Sequence, residues 1–518
     1  MAPLPRPTMS ALDALRTRLA EITDLHRAAA VLEWDQEVFM PSGGAEARAQ
    51  QLGTLRRIAH DRFTDDTVGT LLDSADTEAE SGLDRALVRV TRRDWRRATL
   101  LPSRLVAEKA EASGRAKEAW KAAREADDFA LFAPHLQLVL DLAIEEADLV
   151  RPLLAEERGD DYAPSEADAR YDALLDAFEE GASTTHVARV FADLKADLAP
   201  LVAQITDRPA PDDAALRAPV PEAAQWAFGI EVAEALGYSF DHGRQDVSAH
   251  PFTTSFGLTD VRVTTRIDET FLPMGLFGTI HEVGHALYEQ GLAPSLDRTP
   301  LADGASLGLH ESQSRLWENL VGRSAPFWEW AYPRLQAHAP HLGDVPRETF
   351  VRAANRVEPS LIRVEADELT YHLHVLLRFE IERALVAGTL AVDDLPEAWN
   401  DGMRDLLGVV PPSNADGCLQ DIHWSLGAIG YFPTYTLGTL MSVQLSEAMA
   451  RDLGDLDELM RAGEFGPMLG WLRTHVHRWG RSKPAGEILR DATGSTLDAG
   501  PWLAYARQKF GALYGLDV

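Results

Sequence analysis

Cysteine is almost absent from this 518-residue chain: Cys418 stands alone, which excludes intrachain disulfides, iron–sulfur ligation and thiolate-rich metal sites. Also missing is any run of the roughly 18 uninterrupted apolar residues that a membrane span needs. Basic residues are scarce too. Fifty Lys and Arg stand against 81 Asp and Glu, a formal net charge of -31 that repels phosphate backbones and anionic lipid, so nucleic-acid and membrane-surface partners are not expected. No internal repeat and no low-complexity tail is read from the chain. The N-terminal MAPLPRPTMSALDALRTRL places three prolines before a charged amphipathic stretch and develops no apolar signal core, so a soluble cytoplasmic protein is expected. Any transition metal has to be carried by His, Asp and Glu.

What is abundant is helix-forming texture. From Ser10 to about Leu153, Ala, Leu, Glu and Arg dominate and apolar positions return every three or four residues, as in Leu12, Leu15, Leu19 and Ile22, then Leu136, Leu140, Ile144 and Ala147. This spacing predicts two or three long helical hairpins, with breaks at Met40 to Gly44 and at Gly159 to Pro164. Helix is expected again from Ala167 to about Val202, then a Pro-rich connector from Arg208 to Pro221 and a helix ending near Leu236. Between His242 and Asp268, Phe256-Gly257-Leu258 and the alternating Val261, Val263 and Thr265 read as short strands. Asp260, Arg262 and Thr264 then share the polar strand face. Long helices return from Met274, and the C-terminal Trp502, Tyr505, Phe510 and Leu513 have core spacing. The fold class expected is mainly α, with a small β-sheet or hairpin near residues 256–266.

His281-Glu282-Val283-Gly284-His285 is the strongest chemical signal. Residues four apart on a helix lie one turn above each other, so both imidazoles can face one ion with Glu282 directed beside it. Leu276, Phe277, Ile280, Leu287 and Tyr288 would form the buried side of that helix. The bland alternative is two ordinary histidines. A catalytic zinc site needs a third protein ligand and an open position. Glu311 is the candidate, brought against the pair if two antiparallel helices are joined by the linker Gly291 to Gly308. Glu318 is the competing carboxylate, His310 the competing imidazole, and a surface position the plain alternative. Zinc in such a site lowers the pKa of bound water toward about 7 and polarises a carbonyl, and Glu282 is suited to take the water proton and pass it to a leaving amine. The developing oxyanion then needs a donor.

Gly417 to Trp424 and its continuation through Tyr431-Phe432-Pro433-Thr434-Tyr435 are dense in polar and aromatic groups. His423, Tyr431 and Tyr435 are candidate oxyanion donors, and Gln420 and Asp421 candidates to orient substrate or His423; a packed aromatic turn is the alternative. Arg363, expected on a helix with Leu361, Leu369 and Leu373, offers a planar fork suited to a free peptide carboxylate, against the alternative of an ion pair with Glu365, Asp367 or a neighbouring helix.

Together these motifs resemble the carboxypeptidase Taq family, the M32 metallocarboxypeptidases. The resemblance runs over essentially the full chain in six ordered motifs: His250-Pro251-Phe252; Asp260, Arg262 and Thr264; His281-Glu282 with His285; His310-Glu311-Ser312 with Gln313; Ile362-Arg363 with Ala366-Asp367; and Gly417 with Gln420-Asp421 and His423-Trp424. It implies His281, His285 and Glu311 as metal ligands, Glu282 as general base, and one zinc ion per subunit, with cobalt or manganese as alternatives. It implies release of single C-terminal amino acids from peptides with broad specificity. It also implies a single helical domain over 1–518 with a deep central groove, similar in form to neurolysin and angiotensin-converting enzyme, and a homodimeric assembly. Residues 10–153 would roof the groove and 242–518 would form the catalytic portion. Arg363 looks like the arginine that engages the substrate carboxylate, Tyr431 and Tyr435 like hydroxyl donors, and His250 and Arg262 like residues that shape or support the substrate cleft.

The nearest rival is a helical zinc oligopeptidase or dipeptidyl carboxypeptidase; what separates it is the placement of Arg363 relative to the metal. A non-catalytic binding protein is the rival from another class, against which Glu282 has no structural-ligand role. A metal-free hydrolase built on a serine elbow is not expected, and Cys418 has no evident base beyond His423.

Overall fold

The computed structural model describes residues 9–516, so the proline-bearing stretch 1–8 lies outside the described residues. Six helices, Ala11–Val38, Ala45–Phe63, Asp66–Glu78, Gly82–Leu100, Ser103–Ala126 and Ala133–Arg158, pack in succession, each odd-numbered one on the next, with Asp66–Glu78 also packed on Ala11–Val38. Local chemistry starts them. The Ser10 hydroxyl accepts the Asp13 N–H, Asp65 accepts the Thr67 N–H, and Ser81 and Asp84 close a reciprocal capping box. Leu12, Leu15, Leu19 and Ile22 are buried, as are Leu136, Leu140 and Ala147, with Ile144 half-buried against them.

The helical stretch expected from 167 to 202 is two helices, Glu166–Leu175 and Thr184–Thr206. Ser183 starts the second by accepting the His186 N–H, and the intervening turn reaches the functional centre described below. After the connector, a helix spans Glu222–Leu236.

Three short strands, β1 (Gln245–Val247), β2 (Thr253–Ser255) and β3 (Val261–Thr265), form a sheet in the order β1-β3-β2, with β1 parallel and β2 antiparallel to β3. Phe256 to Leu258, expected as strand, is the turn between β2 and β3. The Phe256 N–H donates to the Asp260 carbonyl (2.8 Å) and the Asp260 N–H to the Gly257 carbonyl (3.0 Å), so these groups close a turn and do not extend a ladder.

Helix Leu272–Glu289 packs on β3, on helix Glu222–Leu236 and on helix Leu307–Arg315. Helix Pro433–Leu453 lies along Leu307–Arg315, and helix Thr370–Val386 packs against Pro433–Leu453 in turn. The C-terminal helix Gly500–Tyr514 docks with Trp502 and Phe510 buried and Tyr505 and Leu513 half-buried, and Trp502 meets the His372 ring edge-on at 4.3 Å.

Arg363 does not ride on the long helix expected for it. It lies in a single turn, Arg363–Glu365, and the helix carrying Leu373 begins only at Thr370. The Asp367 carboxylate accepts the Leu369 and Thr370 N–H groups (2.9 and 3.0 Å), an N-terminal cap that stops the helix from extending back to Arg363.

Candidate active site

Helices Leu272–Glu289 and Leu307–Arg315 approach so closely that a Cβ on Gly284 would stand 2.7 Å from Ser314 Cα and 2.8 Å from the Gln313 carbonyl oxygen. Helix Pro433–Leu453 presses on the other side, where a Cβ on Gly438 would stand 2.5 Å from the Gly308 carbonyl oxygen and 2.7 Å from Glu311 Cβ. The glycine between the two histidines is therefore a packing requirement of the motif.

This contact brings His281, His285 and Glu311 together: one ligand atom from each lies within 4.8 Å of the others. Glu311 Oε2 is 3.6 Å from His281 Nε2 and 3.5 Å from His285 Nε2. The opposite ring nitrogens are held from behind. His281 Nδ1 lies 3.0 Å from Glu318 Oε2, and His285 Nδ1 lies 3.1 Å from the His310 carbonyl oxygen. Anchoring of Nδ1 fixes ring orientation and leaves Nε2 for an ion. Two imidazole nitrogens and one carboxylate oxygen on rigid helices fit a divalent transition metal with an open position.

The two rival ligands thus have other places. Glu318 stands behind His281 and pairs with Arg323 Nη2 (2.9 Å), carried on a π-helical turn, Leu316–Gly322. Burial opposes its ionisation, but His281, Arg323 and Arg315 together hold its carboxyl well below the usual range. His310 turns its Nε2 to Glu289 Oε1 (2.9 Å). Glu311 itself is 5% exposed, and its other oxygen accepts Arg315 Nε at 2.6 Å. Replacing Glu318 by Ala is expected to weaken metal affinity by about 10–100-fold, read by competition against a chelator. Affinity equal to wild type would mean that packing alone orients His281.

Glu282 is 7% exposed, and its Oε2 accepts the Thr253 hydroxyl from β2 at 2.7 Å. Burial raises its carboxyl above the usual range, while His281 and the Thr253 hydroxyl pull it back.

Tyr431 and Tyr435 cluster around His423. His423 Nε2 is 3.2 Å from the Tyr435 hydroxyl, and the Tyr431 and Tyr435 rings meet edge-on at 5.4 Å. Burial lowers His423 to about 4 against the pull of Asp421, so the imidazole is neutral near pH 7. Burial raises both tyrosines, Tyr435 well above the ordinary value, so both hydroxyls remain protonated and able to donate.

Arg363 is 4% exposed and already engaged: Nε and Nη2 donate to Asp421 Oδ1 (3.1 and 2.8 Å) and Nη1 to the Tyr371 hydroxyl (2.8 Å). One N–H on each terminal nitrogen is left over. Gln420, expected to bind substrate, is a brace. Its Oε1 accepts the Arg363 backbone N–H and Arg378 Nη2, both at 2.8 Å, and the two N–H groups of its Nε2 are shared among the Leu361, Asp416 and Gly417 carbonyls at 3.0 to 3.2 Å, which uses its hydrogen-bonding capacity. Arg262 is paired with Asp260 (2.8 and 2.9 Å) and lies 4.4 Å from the Trp34 ring and 4.8 Å from the Phe256 ring, tying the first helix to the sheet. His250 is exposed, and its carbonyl accepts the Ser248 hydroxyl.

Several contributors carry no motif. Glu179, in the turn after Glu166–Leu175, accepts the Gly308 N–H at 2.9 Å, and the adjacent Phe178 meets the Tyr431 ring edge-on at 5.2 Å. Burial pushes the Glu179 carboxyl up to about 7. Only Arg315 had a local signal, four residues after Glu311 on one helix face. Gly304-Ala305-Ser306-Leu307-Gly308 does spell the serine-elbow pattern, against the sequence expectation. Ser306 is nonetheless a helix cap: its hydroxyl accepts the Leu309 N–H at 3.0 Å, and no strand leads into it.

A helical chain that places a His-Glu-x-x-His helix against a carboxylate from a second helix is a metallopeptidase. The family model for carboxypeptidase Taq (M32) metallopeptidases matches residues 14–510, and the chain belongs to that family. Thermostable carboxypeptidase 1 of Thermus thermophilus is 44% identical over 94% of this chain and 95% of its own length. Carboxypeptidase 1 of Bacillus subtilis is 37% identical over 96% and 97%. The crystal structure of the M32 carboxypeptidase from Deinococcus radiodurans superposes with a TM-score of 0.93 at 41% identity, covering 98% of this chain and 99% of that one. The protein is a metallocarboxypeptidase that releases C-terminal amino acids. No helix among the described residues is long and apolar enough to cross a membrane.

Proposed function

We propose that the protein holds one zinc ion per subunit through His281, His285 and Glu311 and removes residues singly from peptides with a free C-terminal carboxylate. The observation that carries this reading is the convergence of the two Nε2 atoms on Glu311 Oε2, at 3.6 and 3.5 Å, with Glu282 next to His281 on the same helix. A zinc ion there supplies Lewis acidity, polarising the scissile carbonyl and acidifying water. Glu282 takes a proton from the attacking water as its oxygen bonds to the carbonyl carbon, and returns it to the amine nitrogen as the carbon–nitrogen bond breaks. The Tyr431 and Tyr435 hydroxyls and His423 would serve as donors to the oxyanion. Arg363 takes the substrate carboxylate with the N–H groups left over from Asp421 and Tyr371, the contact that would select a free C-terminus. The helices of residues 10–153 roof the groove over the catalytic portion 242–518, admitting short or unfolded chains. We further infer a homodimer acting in the cytoplasm; a chain with one buried cysteine needs no oxidising compartment.

A peptide pair with free and amidated C-termini, incubated with the zinc-supplied protein and followed by mass spectrometry, tests the reading. Stepwise loss of single residues from the free acid alone is expected. Internal cuts, dipeptide release or equal cleavage of the amide would replace it with an oligopeptidase reading.

A further inference from the structure

The segment from Gln420 to Tyr431 has little regular structure of its own, only the turn His423–Leu426, yet it carries His423 and leads into Tyr431 and Tyr435. Helix Thr370–Val386 holds it with two buried ionisable side chains one turn apart. Arg378, 0% exposed, donates through Nε to Asp421 Oδ2 (2.7 Å) and through Nη2 to Gln420 Oε1 (2.8 Å). Glu382, 1% exposed, accepts the Trp424 indole N–H (2.8 Å), the Gly430 backbone N–H (3.0 Å) and the Tyr171 hydroxyl (2.7 Å). The segment is therefore fastened near both ends to one rigid helix, with His423 between the anchors and Tyr431 directly after the second. Neither side chain belongs to a motif singled out above. Burying a carboxylate is costly, and an apolar pair at this position would pack without that cost. What the carboxylate adds is a fixed location for two N–H groups that can only donate.

We propose that Glu382 and Arg378 are positioning residues for the reaction, setting where His423 and the Tyr431 and Tyr435 hydroxyls stand relative to His281, His285 and Glu311. This rests on the reading of those groups as oxyanion donors. Glu382→Gln isolates the effect with little change of shape. Its amide offers one acceptor oxygen, while Trp424 and Gly430 approach different carboxylate oxygens, so one of the two bonds is lost whichever way the amide turns.

The experiment compares the zinc-supplied wild type with E382Q, Y431F, Y435F and the E382Q/Y431F and E382Q/Y435F doubles on one free-acid peptide, with metal content and melting temperature measured on each. E382Q is expected to lower kcat by about 10–100-fold with KM within about twofold of wild type and a full complement of metal. The double with the responsible tyrosine is expected to fall little below the single tyrosine variant, because one donor is lost by two routes. Wild-type kcat in E382Q, or a loss that multiplies with both tyrosine losses, would overturn the proposal while leaving the tyrosine reading standing. Full activity of both tyrosine variants beside a slow E382Q would overturn the tyrosine reading and support the clamp through His423. Should E382Q fail to fold, Arg378→Lys tests the other anchor, since an ammonium cannot span Asp421 and Gln420 as the guanidinium fork does; the same fall in kcat is expected, and wild-type kcat would again overturn the proposal.

Discussion

Replacing Glu282 by Gln is expected to lower kcat/KM on a free-acid peptide by about 10²–10⁴-fold, the usual worth of a positioned proton-transfer group. The amide is close to the carboxylate in size and still accepts the Thr253 hydroxyl that now lies 2.7 Å from Glu282 Oε2, so the side chain stays where it is. What it loses is the capacity to take a proton from the attacking water and return it to the leaving amine. Because the His281, His285 and Glu311 side chains are unaltered, bound metal should stay at about one equivalent, and KM should move far less than kcat. Steady-state kinetics with metal analysis on the same preparation decides the point. Activity within about tenfold of wild type would remove Glu282 from the base role, since general-base groups typically contribute more than that. A parallel loss of metal would instead show that Glu282 shapes the ligand set.

The sequence reveals this centre unevenly, and the reason lies in how far each contact reaches along the chain. His281 and His285 are legible because a helix repeats every turn, so their shared face follows from spacing alone. Glu318 reads as a rival ligand to Glu311 because α-helical spacing is the default; the π-helical turn from Leu316 to Gly322 carries it instead to His281 Nδ1, and nothing in the local residue pattern announces that widening. Arg363 reads as helical from its apolar neighbours, but the Asp367 cap outweighs that periodicity. Thr253, Glu179 and Glu382 are not legible at all. Each acts across a tertiary contact: Thr253 from a strand onto Glu282, Glu179 onto Gly308 from 129 residues away, and Glu382 onto Trp424 and Gly430. On paper Arg378 and Glu382 are an ordinary pair of charges one turn apart on a helix that also carries Glu380 and Arg383. Only burial separates a clamp from a solvated pair. The helical class and the N-terminal pairs, by contrast, rest on local periodicity and capping, which the sequence carries openly.

Removing the metal with a chelator is expected to abolish peptidase activity, and His285→Ala is expected to do so permanently. His285 Nε2 and His281 Nε2 face one Glu311 oxygen at 3.5 and 3.6 Å, and both rings are fixed from behind, by Glu318 and by the His310 backbone. His310, the neighbouring imidazole, is tied to Glu289 through Nε2 at 2.9 Å and meets His285 at Nδ1 (2.6 Å), behind the ring and away from the Nε2 that faces Glu311. Chelated wild type should recover on addition of zinc, cobalt or manganese, since two nitrogens and one oxygen suit all three. H285A should recover with none. Stability provides a readout independent of catalysis. A ligand that binds only the folded chain stabilises it by about 2.7 kcal/mol at a hundredfold excess over its dissociation constant, so zinc should raise the melting temperature of chelated wild type and leave that of H285A nearly unmoved. Full activity after exhaustive chelation, or a full equivalent of tightly bound metal in H285A, would dismiss this ligand set. If H285A melts like chelated wild type, the loss belongs to the ion and not to the fold, which is what a preformed site on packed helices requires.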